Sequence, residues 1–213
     1  MAVEAAPANR LERRKQRTRS ALIKAAQTMI AAGRLNVPIL EITQAADVGM
    51  GSFYNHFSSK EELFEAAVME VLDQHGELLD TLTAHMDDPA EIFASSFRLT
   101  GRFFRRRPME STILQANWPA ALASERGLAP RALRDITAAA AAGRFHVDDP
   151  ARALAMTGGL LMGLGVLLSV DPERDVDATT DAFAEDLLRL LGMTARDARA
   201  ICARPLPEIE RYA

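Results

Sequence analysis

A chain of 213 residues with 48% hydrophobic and 25% charged side chains has the composition of an ordinary folded protein, with room for a small domain and a larger one. That balance excludes a disordered chain, and a single cysteine, Cys202, excludes an internal disulfide framework or a clustered thiolate metal site and fits a reducing cytosol. The net charge of −4 is unevenly spread: residues 1–60 hold nine Lys or Arg against four Asp or Glu, leaving the rest at −9, so a basic head suited to a polyanion precedes an acidic body.

Nearly every segment repeats its apolar residues with the helical period, and Gly and Pro fall between those segments, so the fold is read as all-α with nine or ten helices. The Arg-rich first 20 residues have no apolar core and are not a secretory signal. A first helix is predicted from about Leu11 to Ala32, with Gly33 as its stop. A second begins at Pro38, and its ILEITQAAD stretch ends on Asp47, a residue type that tolerates positive φ. The next sixteen residues, VGMGSFYNHFSSKEEL at 48–63, combine an aromatic-rich short helix, a polar face and a fresh helix start. Two short helices joined by a tight turn make a helix-turn-helix candidate. Ile39, Ile42, Val48, Phe53 and Phe57 are apolar at helical spacing and should pack with Leu22 and Ala26.

Ser59 to Glu62 read as a capping box that starts a long helix running towards Met86. Further helices are predicted at about 88–107, 109–118, 127–144, 149–170 and 175–192, and residues 195–213, with Pro205 and Pro207, read as weakly ordered. Ala153 to Val170 is uncharged and meets the lower length limit for a membrane span. Its glycines, its lack of flanking Trp or Tyr and the aspartates at its ends favour a helix buried at a subunit interface, with no membrane partner. The resulting division is 1–62 for an arm and helix-turn-helix domain, 63–194 for a larger helical domain, and 195–213 for a weakly ordered tail.

Thr18-Arg19, Leu22-Ile23, Ala25-Ala26, Gly33, Ile42, Val48, Gly51, Phe53-Tyr54, His56-Phe57 and Lys60 through Leu63 carry a resemblance in order and spacing. The first 65 residues resemble the DNA-binding domain of the TetR (tetracycline-repressor) family of bacterial regulators, and the rest is similar only in helical layout. Departures fall at Val37-Pro38 for a Thr pair, Thr43 for Ala, Asp47 for a turn Gly and Gly49 for a Ser or Thr cap. Each is tolerable by conformation, but Val37 lacks a hydroxyl that could hold a phosphate.

With the usual docking, Met50, Ser52 and Asn55 are expected to contact bases, Asn55 pairing with adenine and Met50 touching a thymine methyl. Arg17, Thr18, Tyr54, His56 and Lys60 are expected to hold phosphates; for His56 the alternative is a histidine packed against the first helix. In the body, Phe93, Phe97, Thr100 and Phe104 recur at helical spacing, and Leu114, Gln115, Trp118 and Thr137 add apolar and polar groups. The resemblance implies a small, largely apolar inducer held among helices four to eight, lined in part by Phe93, Phe97, Phe104, Leu114, Gln115, Trp118 and Thr137. Arg102, Arg105, Arg106 and Arg107 read as a solvated helix end, or as a seat for an anionic head group.

Leu160, Leu161, Leu164 and Leu168 on one helix and Phe183, Leu187, Leu190 and Leu191 on the next are expected to pair with their symmetry mates in a homodimer. Two recognition helices about 34–36 Å apart then meet successive major grooves of a palindromic operator. The expected protein is a cytoplasmic bacterial regulator, most simply a repressor, with no cofactor, metal or catalytic residue. The rival is a helical dimeric ligand-binding protein or enzyme without a DNA role. His75 and His85 sit near acidic residues but almost three turns apart, too far for one ion.

Overall fold

The computed structural model describes residues 8–207, and among these every regular element is an α-helix. In chain order they are α1 (Ala8–Ala31), α2 (Ile39–Ala45), α3 (Met50–Tyr54), α4 (Lys60–Thr83), α5 (Pro89–Arg106), α6 (Pro108–Ala116), α7 (Trp118–Ala123), α8 (Leu128–Ala141), α9 (Pro150–Val170), α10 (Val176–Leu190) and α11 (Ala195–Cys202). The chain divides into two compact units, the second starting at Val71, inside α4, whereas the sequence set the boundary at that helix's start. The first seven residues of the expected arm and the last six of the expected tail lie outside the described residues.

The first unit is a three-helix cluster closed by the first turns of α4. Leu22, Ala26, Ile42, Phe53, Leu63 and Ala67 are its fully buried apolar residues, with Phe57 nearly so. The α2–α3 turn is made by Asp47, which adopts φ +53° as the turn demands, while its amide donates to the Gln44 carbonyl and that of Val48 to the Thr43 carbonyl. Thr43, where the family has Ala, is buried but costs nothing unpaired: its hydroxyl donates to the Leu40 carbonyl at 2.9 Å. At the start of α4 the Ser59 hydroxyl accepts from the Glu62 amide at 3.1 Å as the capping box requires. The return bond differs, for the Glu62 carboxylate takes the amide and hydroxyl of Ser58 at 2.7 and 2.5 Å.

In the second unit α5 is the central helix, buried from Ala90 to Phe104 and packed by α8, α9, α10 and α11. Helices α5, α9 and α10 start at carboxylate caps, Asp88, Asp149 and Asp175, each accepting from an amide of the first turn. Two expectations need correction. The helix expected over 109–118 ends at Ala116, and a further helix, α7, opens at Trp118 because Pro119 fits a first turn better than a last one. Residues 195–202, read as part of a weakly ordered tail, form α11: Thr194 caps the Asp197 amide, the Asp197 carboxylate takes the Thr194 hydroxyl, and Ala198, Ile201 and Cys202 are buried.

Candidate nucleic-acid interface and ligand cavity

The third helix is only five residues long, so packing rather than propensity holds it. Phe53 is fully buried and meets the rings of Tyr54, edge-on at 5.2 Å, and Phe57 at 6.1 Å. With that side anchored, Met50, Gly51, Tyr54 and Asn55 are exposed and Ser52 is half-buried, Tyr54 keeping 59% of its surface open. Nothing lies within 4 Å of a Cβ added at Gly51, so the protein itself does not demand a glycine there.

The first helix brings basic groups alongside. Glu12, Lys15, Gln16 and Arg19 share a crevice with Asn55 and His56, and the Arg19 guanidinium lies 5.4 Å from the Phe57 ring centre. Burial, then the charges of Lys15 and Arg19, push the His56 imidazole below its ordinary pKa, so at neutral pH it is an uncharged donor or acceptor. Arg17 is exposed, and Thr18 and Lys60 are half-buried. Neither Lys15 nor Arg19 was assigned a place at the interface from the sequence, although their i, i+4 spacing on a basic helix was the available signal.

In the second unit a cavity of about 70 Å³ is walled by Phe93, Phe97, Trp118, Leu122, Leu154 and Leu161, among other apolar groups. Its polar corner is an ion-pair chain. Arg131 Nε donates to Asp80 Oδ2 at 2.7 Å, Arg134 Nη2 donates to Asp80 Oδ1 at 2.9 Å, and Arg134 Nε donates to Asp135 Oδ1 at 2.9 Å. Burial pushes the Asp135 carboxyl above its ordinary pKa against the pull of Arg134. For Asp80 burial acts the same way but loses to the bonds from Arg131 and Arg134, which hold it low. Ser96 and Thr100 of α5 add hydroxyls to the lining. Gly158 is required here, because a Cβ at that position would stand 2.1 Å from the Trp118 ring, which lies on the α9 backbone.

Of the seven residues expected around an inducer, Phe93, Phe97 and Trp118 line this cavity and four do not. Phe104 and Leu114 are buried core, Gln115 donates to the Ser111 hydroxyl beside Gly165, and Thr137 faces solvent with its hydroxyl on the Leu133 carbonyl. The polar corner was missed; its signal was Arg131, Arg134 and Asp135 at i, i+3 and i+4 in an otherwise alanine-rich helix. The four arginines closing α5 also divide. Arg102 is buried and pairs with Asp177 and Asp181, both at 2.9 Å, and Arg105 donates to the carbonyls of Leu168 and Pro172 at the end of α9, so of the four arginines read as a solvated end only Arg106 and Arg107 keep that place.

The leucines assigned to a subunit interface sort by face. Leu161, Leu164, Leu168, Leu187 and Leu191 are buried in this unit's own core, where α9 packs on α5 and α8, and α10 on α5 and α9. Leu160 and Phe183 are half-buried and Leu190 is 56% exposed. The outward side of α9 is instead Met156, Gly159, Gly163, Val166 and Val170, an apolar stripe at i, i+3/i+4 spacing. By length and composition α9 could cross a membrane, but its leucine side packs within the unit.

Comparison with known proteins agrees in both units. Residues 22–67 match the family model described as bacterial regulatory proteins, tetR family, and residues 88–204 match that of the tetracyclin repressor-like C-terminal domain. Over 84 residues, 37% of this chain, it is 32% identical to the HTH-type transcriptional repressor KstR2 of Mycolicibacterium smegmatis, and the match spans 41% of that repressor's length. The structure of RolR in complex with the ligand resorcinol superposes with a TM-score of 0.72 at 35% identity, covering 92% of this chain and 98% of RolR. A gamma-butyrolactone receptor shares the fold, with a TM-score of 0.60 at 18% identity over 90% of this chain and 97% of its own.

Proposed function

The chain belongs to the TetR family of bacterial regulatory proteins, and on that premise we propose that it is a cytoplasmic, ligand-responsive transcriptional repressor that binds a palindromic operator as a homodimer. The inducer is a small hydroxylated aromatic molecule. The observation that carries this reading is the polar corner of the cavity, which sets a carboxylate held by two arginines into an otherwise apolar, ring-lined space. About 70 Å³ is less than the roughly 150 Å³ of an engineered cavity that takes benzene, so the ligand is a single ring whose entry widens the site. RolR holds resorcinol, a ring with two hydroxyls. A similar diol suits this corner: Asp135 has one oxygen on Arg134 and another left to accept from a hydroxyl, and the arginines can donate to the second.

On the operator side, Met50, Ser52 and Asn55 reach base edges while Arg17, Thr18, Tyr54, His56 and Lys60 hold phosphates. The openness around Gly51 supports close approach to the groove, since nothing in the protein explains the missing side chain. Replacing Lys60 by alanine should lower the magnitude of the slope of log K against log salt by about 0.9 per half-site and leave sequence preference intact. An unchanged slope removes Lys60 from the interface.

Repression is relieved only if the ligand prefers a conformer that fits the operator poorly, with a coupling of typically about 1–3 kcal/mol. The fourth helix belongs to both halves of this process, because it starts at the recognition hinge and its residues Leu79 and Asp80 line the cavity. A labelled fragment of the DNA flanking the gene tests the whole reading: the protein should shift it, and resorcinol should release it. Asp135→Asn should raise the dissociation constant for resorcinol at least tenfold, the loss of a charge-assisted hydrogen bond of about 1.5–3 kcal/mol, with operator affinity unchanged when ligand is absent. A diol that neither binds nor releases the complex would sink the ligand assignment, and failure to shift any flanking fragment would sink the repressor.

A further inference from the structure

A second cavity, of about 230 Å³, lies between α4, α5 and α6, walled by Val71, Leu78, Leu82, Leu99 and Phe103 and rimmed by Arg106, Arg107 and Glu110. It adjoins the first across Leu79, which lines both. His75 lines this second cavity, is 5% exposed and lies 4.1 Å from the Phe103 ring, centre to centre. Its Nε2 is 3.0 Å from the Thr100 hydroxyl oxygen. That hydroxyl spends its only proton on the Ser96 carbonyl at 2.8 Å, so it can only accept from His75, and the proton of the imidazole sits on Nε2. Nδ1 is then a bare lone pair, buried and without a hydrogen-bond partner. Burial pulls the pKa of His75 down to about 4, so the ring remains a neutral acceptor at physiological pH.

A buried acceptor with no donor costs stability, and a bound donor is one way to recover that cost. The rim supplies the opposite polarity. Arg107 stands 3.7 Å from Glu110, whereas Arg106 is exposed and forms no ion pair among the described residues. His75, aliphatic side chains and the Phe103 ring wall the space, and the Arg106 cation stands at its rim.

We propose that this cavity is a second small-molecule site, taking a hydroxylated aromatic carboxylic acid whose hydroxyl donates to His75 Nδ1 and whose carboxylate meets Arg106. The site is distinct from the first cavity and does not depend on the ligand assigned there. The shared Leu79 and the His75–Thr100 bond place its occupant in contact with residues that line the first cavity, so the two ligands can sense one another.

Calorimetry on the full chain with 4-hydroxybenzoate tests the assignment, with benzoate as the probe lacking the hydroxyl and 4-hydroxybenzamide as the probe lacking the charge. One 4-hydroxybenzoate should bind per chain, and each control should bind at least tenfold more weakly. His75→Phe keeps the ring and removes the acceptor, so it should reduce 4-hydroxybenzoate to the level of benzoate. Arg106→Ala should erase the preference for the acid over the amide. Should His75→Phe fail to fold, the 15N resonance of His75 Nδ1 in the unaltered protein gives the same answer, since accepting a hydrogen bond moves it upfield. No binding by 4-hydroxybenzoate, binding indifferent to both substitutions, or an unmoved Nδ1 resonance at saturation each overturns the proposal and leaves the cavity a hydrated crevice.

Discussion

A chain carrying Val166→Asp and Leu190→Asp should stay folded, become monomeric and lose at least a hundredfold in operator affinity. Val166 and Leu190 are each 56% exposed and Val170 is 71% exposed, so a carboxylate at the first two positions meets water in the isolated chain and changes its stability by only about 0.5 kcal/mol. In a twofold pairing through α9 and α10 the same substitutions bring four carboxylates into the interface, where each unpaired charge costs several kcal/mol. Gly159 and Gly163 lie in the same outward stripe, and nothing stands within 4 Å of a Cβ added to either, so their smallness is unused inside the chain and would let a second copy approach closely. A half-site held by one recognition helix keeps the phosphate contacts of one protomer only, and its affinity falls towards the non-specific range. Sedimentation equilibrium gives the oligomeric state and a gel shift the affinity. A doubly substituted chain that remains dimeric at micromolar concentration refutes the interface.

What the sequence showed and what it hid divide along the distance over which each feature is specified. The helix-turn-helix was legible because its determinants are neighbours: Asp47 entering positive φ between two short apolar repeats, Ser59 capping the Glu62 amide, and Phe53 and Phe57 one turn apart. Helix α11 was also local in its signal, a Thr-x-x-Asp start at Thr194, but the prolines beyond it drew the whole stretch into a tail. The polar corner was hidden because Asp80 meets Arg131 and Arg134 across 51 and 54 residues, a pairing that only the packing of α4 against α8 creates. For α9, periodicity could not decide which side faces out, since both are apolar. The answer follows from shape: the leucines fill the core around α5, and the glycines and valines are left for a flat outer surface. His75 was weighed only as a metal ligand, because nothing near it in sequence foretells that Thr100, 25 residues away, would take one ring nitrogen and leave the other bare.

Arg98→Ala should destabilise the C-terminal unit by about 3–5 kcal/mol, the usual cost of removing one member of a buried ion pair. The Arg98 side chain is 5% exposed and engages Asp181 through both ends of its fork, Nε to Oδ1 at 2.8 Å and Nη2 to Oδ2 at 3.2 Å. Its Nη1 donates to the Arg204 carbonyl at 2.9 Å, so one guanidinium ties α5 to α10 and to the turn after α11. Arg102 shares Asp181, and after the substitution it keeps that carboxylate paired but cannot reach the vacated fork geometry. The alanine leaves a hole the size of the lost stem and an unsatisfied carbonyl as well, so packing and polar losses add. Lysine at 98 should recover part of the packing but not the bidentate bond, and should fall between the two. The acid limb supplies an independent check. Burial alone would raise the Asp181 carboxyl, but the bonds from Arg98 and Arg102 outweigh it and hold its pKa below the ordinary value. Stability from that shift is therefore present above about pH 4 and lost as pH falls through the lowered folded value. In Arg98→Ala the shift shrinks, so urea midpoints of the two proteins should converge as the solution is made more acid. A loss below about 1 kcal/mol at neutral pH, or a constant gap across the acid limb, shows instead that water satisfies Asp181 and that the clamp on α11 lies elsewhere.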